Sequence, residues 1–464
     1  MKYDAIVIGA GPGGYPAAIR LAQLGKKTLI VEKNAVGGVC LNRGCIPTKA
    51  LAHAAEVRHS LANYQRMGLG FKDSGLDFPK LQRWKNATVT RLVKGIEFLF
   101  KSNGVELMTG IGRIVEPEVV EVRTKDESIR IQTDSIILAT GSTPVPLPHI
   151  KPDNKAIFYA EDALFFTEIP SSMLIVGAGA TGMEMATIYN TFGAKLTVVE
   201  IMKQIQPGLD AELAENLAKL IKKQSIELML SSKVTEVEKL PDTLKVSIQT
   251  PDGKIETREV EKLLLSVGRK AVTEELWDKA LAIDIDMKGF IKVNEKLETS
   301  VPGIYAIGDL TGPPLLAHRA SKQGIIAAEV IAGKKSIYAP KAMPSCIYTI
   351  PNLASVGLSE QQAIEAGYKI EIGRFPYSAL GRAATLGERD GFVKIIANKQ
   401  SGKLLGMQVM GVGADTLIGE ALIALELKTS FETLATAVHP HPTLLEAVME
   451  AAENVKKRAI HIKN

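Results

Sequence analysis

The segment Ile6-Val7-Ile8-Gly9-Ala10-Gly11-Pro12-Gly13-Gly14 returns 168 residues later as Leu174-Ile175-Val176-Gly177-Ala178-Gly179-Ala180-Thr181-Gly182. At the same offset Gly25 maps to Gly193 and Glu32 to Glu200. Each copy reads as strand, glycine turn, helix, glycine turn, strand and acid, a βαβ unit that occurs twice. The first glycine (Gly9, Gly177) permits the tight turn. The second (Gly11, Gly179) lets the backbone approach a pyrophosphate, and the third (Gly14, Gly182) allows close helix–strand packing. The helix N-terminus offers free N–H groups and the positive end of its dipole to phosphate. The acid closing the second strand can accept from a ribose hydroxyl. One such fingerprint is a weak signal. Two in register, each with its acid 18 residues past the third glycine, restrict the chain to an α/β protein with two Rossmann-like dinucleotide-binding domains. A carboxylate at Glu200 would repel a 2′-phosphate, so the second site is expected to take NAD rather than NADP.

The remaining punctuation sets the boundaries. Ala139-Thr140-Gly141-Ser142-Thr143-Pro144-Val145-Pro146-Leu147-Pro148 is a Gly/Pro break after the strand Ile136-Ile137-Leu138. Leu263-Leu264-Leu265-Ser266-Val267-Gly268-Arg269 closes the second dinucleotide unit in the same way. The run Thr299 to Asp309 reads as a turn, a strand and an acid at the strand's C-terminal end, the ligand-facing end of an open α/β sheet. It is expected to return to the first domain. Beyond about Met343, strands and helices alternate without glycine fingerprints. Val393–Ile396 and Leu405–Val409 read as a hairpin across Gly402, and Gly419–Leu427 as a helix, in an α+β C-terminal domain. The expected segments are 1–148, 149–270, 271–342 and 343–464, the first and third forming one discontinuous domain.

The 464 residues are 46% hydrophobic and 23% charged, ordinary for a globular chain of several domains. The net charge of +5 is spread rather than clustered, which argues against a nucleic-acid partner. No apolar run is long enough to span a bilayer, and no signal peptide is visible ahead of the first strand. With only three cysteines, a structural disulfide framework is excluded. The expected setting is the reducing cytoplasm.

Two of those cysteines, Cys40 and Cys45, fall in Gly37-Gly38-Val39-Cys40-Leu41-Asn42-Arg43-Gly44-Cys45-Ile46-Pro47-Thr48-Lys49, directly after the first dinucleotide start. On an ideal helix, residues five apart lie ~7.5 Å apart along the axis, beyond the ~4.4–6.8 Å Cα separation of a disulfide. A bridge therefore needs an irregular helix start, which Gly37, Gly38 and Gly44 permit. A helix N-terminus favours the reactive thiolate, and Lys49 adds positive charge on the face of Cys45. The alternatives are two unrelated buried cysteines or half of a zinc site. No second pair of metal ligands supports the latter, and no metal is expected. Cys346 reads as a packed thiol.

A thiol relay also needs a base. Only seven histidines occur, and two stand in Val438-His439-Pro440-His441-Pro442-Thr443-Leu444-Leu445-Glu446. The prolines restrict the backbone around His441, and Glu446 can orient its imidazole as a triad carboxylate does. His439 reads as structural, and His318 is evenly balanced between structure and cofactor site.

These residues resemble the class I flavoprotein pyridine nucleotide-disulfide oxidoreductases over essentially the full length, most closely their dihydrolipoamide dehydrogenase branch. The 37–49 segment is highly specific to that superfamily, and Leu316-Ala317-His318 and the His-Pro-His-Pro-Thr turn favour the branch. Glutathione reductase-like chains favour NADP, mercuric reductase-like chains carry a C-terminal cysteine pair absent here, and transhydrogenase-like chains lack one redox cysteine. The resemblance implies FAD at Gly9, Gly11, Gly14, Glu32, Lys49, Gly112, Gly141, Asp309 and Ala317, and NAD at Gly177, Gly179, Gly182, Glu200 and Gly268. It implies Cys40 as the thiol that meets substrate and Cys45 as the thiol against the flavin. Lys49 would pair with Glu184, and His441 with Glu446 would act on the disulfide of a homodimer partner. The C-terminal domain would then be the dimerisation domain. Dihydrolipoamide, free or carried by lipoyl-bearing proteins of 2-oxoacid dehydrogenase or glycine cleavage type complexes, would be the substrate.

The chain departs from the pattern at Gln323, where an acid is common, at Lys270 and Ala271 after Gly268-Arg269, and at Ile350 and Asn352 around Pro351. Two other readings remain: a reductase of a different disulfide on the same architecture, and a flavin-bearing scaffold for a multienzyme complex.

Overall fold

The computed structural model describes residues 2–70 and 75–464. The chain forms two compact units, one of Met1–Ala50, Pro79–Pro146 and Gly268–Ala339, the other of Leu51–Phe78, Leu147–Val267 and Pro340–Asn464.

In the first unit the strand Lys2–Ile8 lies between Thr28–Glu32 and Ser128–Leu138, parallel to both. Glu106–Thr109 extends the parallel sheet beyond Thr28–Glu32. The 11-residue strand Ser128–Leu138 forks: its first half pairs antiparallel with Val119–Arg123, its last three residues parallel with Ile304–Ala306. The 299–309 run thus returns its strand to the first sheet, as its pattern suggested. Both faces of Lys2–Ile8 are covered, with Ile6 and Ile8 in one core cluster and Ala5 and Val7 in another. That is why its second half, Ala5-Ile6-Val7-Ile8, is continuously apolar instead of alternating. The helix Gly14–Gln23 packs on Ala317–Ile331 so closely that a Cβ on Gly324 would lie 2.2 Å from the Gly13 carbonyl. Arg20 Nη2 and Glu329 Oε1, 2.6 Å apart, fasten the far end of the pair.

The second unit carries a five-stranded parallel sheet in the order Glu227–Met229, Lys195–Val199, Ser172–Val176, Lys262–Leu265, Ile157–Tyr159. Its helix Ala180–Phe192 is buried on nearly every side from Gly182 to Tyr189. Tyr189 meets Phe78, Phe166 and Phe192 with ring centroids 5.9–6.4 Å apart. The antiparallel sheet Ser345–Ile347, Leu353–Gly357, Leu404–Met410, Phe392–Asn398, Ile370–Pro376 contains the expected hairpin. The helix expected over Gly419–Leu427 runs instead from Ala414 to Glu426. Gly413, at φ 74°, makes the start, and Gly419 is an interior glycine with open space about its Cβ.

Alternation along Phe392–Asn398 sends Val393 and Ile395 into the apolar core and Lys394 to the opposite face. There the fully buried Lys394 ammonium lies 3.0 Å from Asp210, 2.9 Å from Glu212 and 2.7 Å from Glu360. Asp210 also caps the helix Ala211–Lys223 and accepts from the Glu360 backbone N–H. Burial works to lower the Lys394 ammonium, but Glu360, Glu212 and Asp210 outweigh it and hold it above its ordinary value. This cluster joins the dinucleotide segment of the second unit to its antiparallel sheet. Lys394→Met leaves the carboxylates facing one another and should cost ~3–5 kcal/mol, the usual penalty for breaking a buried ion pair. Urea unfolding would measure it. The wild-type contribution should persist through neutral pH and fade only as pH climbs past the ordinary lysine range, since a raised ammonium loses its proton later in the folded state.

Candidate active site

At the first glycine turn, a Cβ on Gly14 would lie 1.8 Å from the Gly9 carbonyl, and one on Gly9 would lie 2.4 Å from the Ala139 carbonyl. No side chain caps the helix Gly14–Gln23, whose Tyr15 N–H donates to the Gly11 carbonyl, so the positive end of its dipole is left without a side-chain acceptor. Glu32 closes the turn: Oε2 accepts from the Ala10 N–H at 2.8 Å and Oε1 from the Asn34 N–H at 2.8 Å.

The cysteine segment is built onto that turn. Gly37 (φ 92°) donates from its N–H to the Ala10 carbonyl, and a Cβ on Gly38 (φ 58°) would lie 2.7 Å from Gly11 Cα. Asn42 fixes the segment with Nδ2 donating to the carbonyls of Val36 and Gly38, both at 2.9 Å. The helix Gly38–Arg43 stops at Gly44 (φ −146°, ψ −111°), and Cys45 opens a second helix, Cys45–Arg66. The break brings the Cα atoms of Cys40 and Cys45 to 4.7 Å, and the two are disulfide-bonded. The irregular start that the spacing demanded is this glycine hinge. Lys49 lies one turn beyond Cys45. Cys346 is half-buried against the C-terminal core, as a packed thiol should be.

Other residues expected at the first site have distinct settings. Asp309 sits in the 3-10 turn Gly308–Thr311 after the strand Ile304–Ala306 and accepts from Ser142 Oγ at 2.5 Å. Ser142 Oγ in turn accepts from Arg269 Nε at 2.8 Å, so Arg269 and Ser142 orient the Asp309 carboxylate. Gly141 (φ 73°) precedes Ser142. Gly112 packs over Ile8, where a Cβ would come within 3.1 Å of Ile8 Cγ2. Ala317 opens the helix that carries His318, Arg319 and Gln323. Buried Gln323 accepts from the Gly308 N–H at 2.8 Å and donates to Thr311 Oγ1 at 3.3 Å. Arg319 Nη1 and Nη2 reach the Gly312 carbonyl at 2.5 Å and Thr311 Oγ1 at 2.9 Å. The amide at 323 therefore holds the Asp309 turn as donor and acceptor together, which an ionised acid cannot do.

The second glycine turn repeats the first contact by contact. A Cβ on Gly182 would lie 2.1 Å from the Gly177 carbonyl, and one on Gly177 2.3 Å from the Ser266 carbonyl. Glu200 accepts from Ala178 N–H at 2.7 Å and Met202 N–H at 2.8 Å. Gly179 faces open space and the helix behind it has no side-chain cap, the features a dinucleotide phosphate requires. Gly268 (φ 118°) follows Ser266-Val267 and accepts from Val145 N–H. Glu184, buried in the helix after the turn, accepts from the Tyr348 backbone N–H at 2.9 Å. Burial, with Asp415, Cys346 and Glu184 nearby, pushes the Tyr348 phenol up to about 12.

At the C-terminal turn His441 Nδ1 lies 2.9 Å from Glu446 Oε1, while Glu446 Oε2 accepts from Thr443 N–H at 2.8 Å. Burial works to raise the Glu446 carboxyl, and the hydrogen bonds from His441 and Thr443 outweigh it, leaving it below the usual carboxylate range. An ionised Glu446 requires the hydrogen on Nδ1 and so leaves Nε2 of neutral His441 as the free base. The His441 side chain is 78% exposed in the single chain. The arrangement can take a proton from a ligand presented to this surface.

Sequence reasoning did not find Ser142, Arg269 and Arg319 as supports of Asp309, because nothing in their spacing marks a side chain that ligates distant backbone. The Gly/Pro break at 139–148 was the one available signal for Ser142.

Residues 3–324 match the pyridine nucleotide-disulphide oxidoreductase family, and residues 343–452 match the dimerisation domain of that family. The chain is similar to dihydrolipoyl dehydrogenase of Thermus scotoductus, 45% identical over 100% of this chain and 99% of that protein. It is 39% identical to the Geobacillus stearothermophilus protein of the same name, over 100% of this chain and 98% of that one. Among solved structures it shares its fold with LpdA from Mycobacterium tuberculosis (TM-score 0.89, 24% identity, 97% of this chain and 99% of that one). The Escherichia coli flavoprotein disulfide reductase RclA has a TM-score of 0.88 at 24% identity, over 98% and 99% of the two chains. With a disulfide seated on a dinucleotide turn, a second such turn, and family matches across both the oxidoreductase and dimerisation regions, the chain belongs to the pyridine nucleotide-disulphide oxidoreductases.

Proposed function

We propose that this chain is a dihydrolipoyl dehydrogenase, oxidising dihydrolipoamide to lipoamide and reducing NAD through the Cys40–Cys45 disulfide and FAD. The observation that carries the reading is that disulfide, held on the first glycine turn by the Gly38–Gly11 approach and the Asn42 hydrogen bonds. Full-length similarity to dihydrolipoyl dehydrogenases supports the choice of substrate.

His441, oriented by Glu446, takes a proton from one substrate thiol, and the resulting thiolate attacks Cys40. The Cys40–Cys45 bond breaks and a mixed disulfide forms. The second substrate thiol then displaces Cys40, giving lipoamide and two reduced cysteines, with both substrate protons accounted for by His441 and the released thiols. FAD, when bound, would supply the two-electron chemistry that links the reduced cysteines to NAD. Gly9, Gly11 and Gly14 would hold the FAD phosphates, and Glu32 would take the adenosine ribose. Asp309 would bind the ribityl chain, and Gly112, Gly141, Ala317 and Lys49 would complete the pocket. Gly177, Gly179, Gly182, Glu200 and Gly268 hold NAD. Cys45 would be the thiol that reduces the flavin, and Lys49 and Glu184 would tune the charge met by that chemistry. Residues 1–148 and 271–342 supply the FAD-binding domain, 149–270 the NAD-binding domain and 343–464 the dimerisation domain. Two copies pair through the last, and His441 of one serves the disulfide of the other. Lipoyl-bearing proteins of 2-oxoacid dehydrogenase or glycine cleavage type complexes in the cytoplasm deliver the substrate.

Cys45→Ser should abolish dihydrolipoamide oxidation; full turnover in this variant refutes the relay. His441→Gln should lower dithiol turnover by about 10²-fold or more, the scale of general-base catalysis, and normal turnover would overturn the base assignment. Parallel assays with lipoamide, glutathione disulfide and coenzyme A disulfide should show reduction by NADH with lipoamide alone. A higher kcat/KM with either of the others reassigns the substrate.

A further inference from the structure

The turn that carries His441 is exposed at most positions, with Val438 100% exposed. His439 is the exception: its side chain is 5% exposed and inserts beside the helix Ala414–Glu426. Nδ1 of His439 lies 2.9 Å from the Ala437 carbonyl, which can only accept, so Nδ1 carries a hydrogen. Nε2 lies 3.3 Å from Glu420 Oε1. Glu420 Oε2 is buried and has no partner among the described residues.

One proton must lie between Nε2 and Oε1. Either an imidazolium donates to a carboxylate or a carboxylic acid donates to an imidazole, and the contact holds in both states. Burial pushes the Glu420 carboxyl up while His439 pulls it back, with burial prevailing. A free surface carboxylate would avoid this half-satisfied position, because a buried acceptor without a partner costs ~1–3 kcal/mol. The contact it makes instead reaches the turn two residues before the proposed base.

We infer that His439 and Glu420 are positioning residues, the upstream pin of the turn that aims His441. This rests on the proposed role of His441. The downstream pin is Glu446, bound to His441 and to the Thr443 N–H, with Thr443 Oγ1 donating to the Pro440 carbonyl at 2.8 Å. Glu446 alone orients the ring about its own bonds, whereas the upstream contact fixes the backbone from which the ring projects. A hydrogen bond is what the pin requires; neither the charge nor the ring's bulk suffices.

The test uses the flavin-loaded enzyme with His439→Phe, Glu420→Ala, Glu420→Gln and the His439→Phe/Glu420→Ala double variant, with His441→Gln in parallel. Each is assayed for dihydrolipoamide oxidation by NAD and for NADH oxidation by ferricyanide, which needs flavin and nicotinamide but neither substrate dithiol nor base. His439→Phe and Glu420→Ala should each lower dithiol kcat by about tenfold or more, as slight misplacement of a reacting group does, with ferricyanide reduction unchanged. Glu420→Gln should retain most dithiol turnover, because its amide donates to Nε2, and the double variant should be no worse than the worse single one. Full dithiol turnover in His439→Phe overturns the pin. So does a Glu420→Gln loss equal to that of Glu420→Ala, which would make the role one of charge. A parallel fall in ferricyanide reduction assigns the pair to general stability and overturns it as well. Normal dithiol turnover in His441→Gln removes the base reading and the pin with it; loss there alongside normal His439→Phe removes the pin alone.

Discussion

The closest constraint in the molecule is backbone against backbone. At both glycine turns a helix starts with its third glycine pressed onto the carbonyl of the first, at a range where a single methyl group has no room. That approach leaves the uncapped helix N-terminus beside the end of the parallel sheet. In the first unit it also provides the seat for the next segment. Gly38 packs on Gly11, and the disulfide therefore belongs to the same rigid feature as the first glycine turn. A thiol pair elsewhere in the fold would lack this fixed relation to a dinucleotide.

The proposed proton chemistry is organised differently. Cys40 and Cys45 are set by glycines and one asparagine, all local in sequence. His441 is held by side-chain hydrogen bonds around an exposed turn, with a carboxylate five residues away. Electron transfer between thiols and a cofactor tolerates little motion, whereas the proposed role of His441, meeting an arriving substrate, calls for an open surface. The rigid and open parts fall in separate units of the chain.

What the sequence made legible follows the same division. The paired fingerprints, the need for an irregular helix between Cys40 and Cys45, the hairpin in the C-terminal sheet and the His441–Glu446 contact all depend on residues close in the chain. Spacing alone carries such features. Lys394 and Asp210 are 184 residues apart, and nothing local foretells that a lysine on a sheet face is buried against three acids. Arg269 was legible as the end of the second dinucleotide unit but not as the donor to Ser142 that braces Asp309. Gln323 looked like a lost charge, and only its neighbours Gly308 and Thr311 show that an amide suits the position. The Gly419 reading failed because glycine marks a helix boundary only where backbone geometry demands it, and here Gly413 meets that demand.

Glu200 has a consequence for coenzyme engineering. Its two carboxylate oxygens already brace the loop that holds them, through the N–H groups of Ala178 and Met202. If Glu200 meets the coenzyme ribose as proposed, replacing it with arginine to welcome a phosphorylated ribose would strip both donors of their acceptor, at ~1–3 kcal/mol for the buried Ala178 N–H, and would let the loop sag before any new coenzyme arrived. A swap of nicotinamide preference in this scaffold thus calls for a redesigned strand-end loop supplying substitute acceptors, not for a single exchanged side chain.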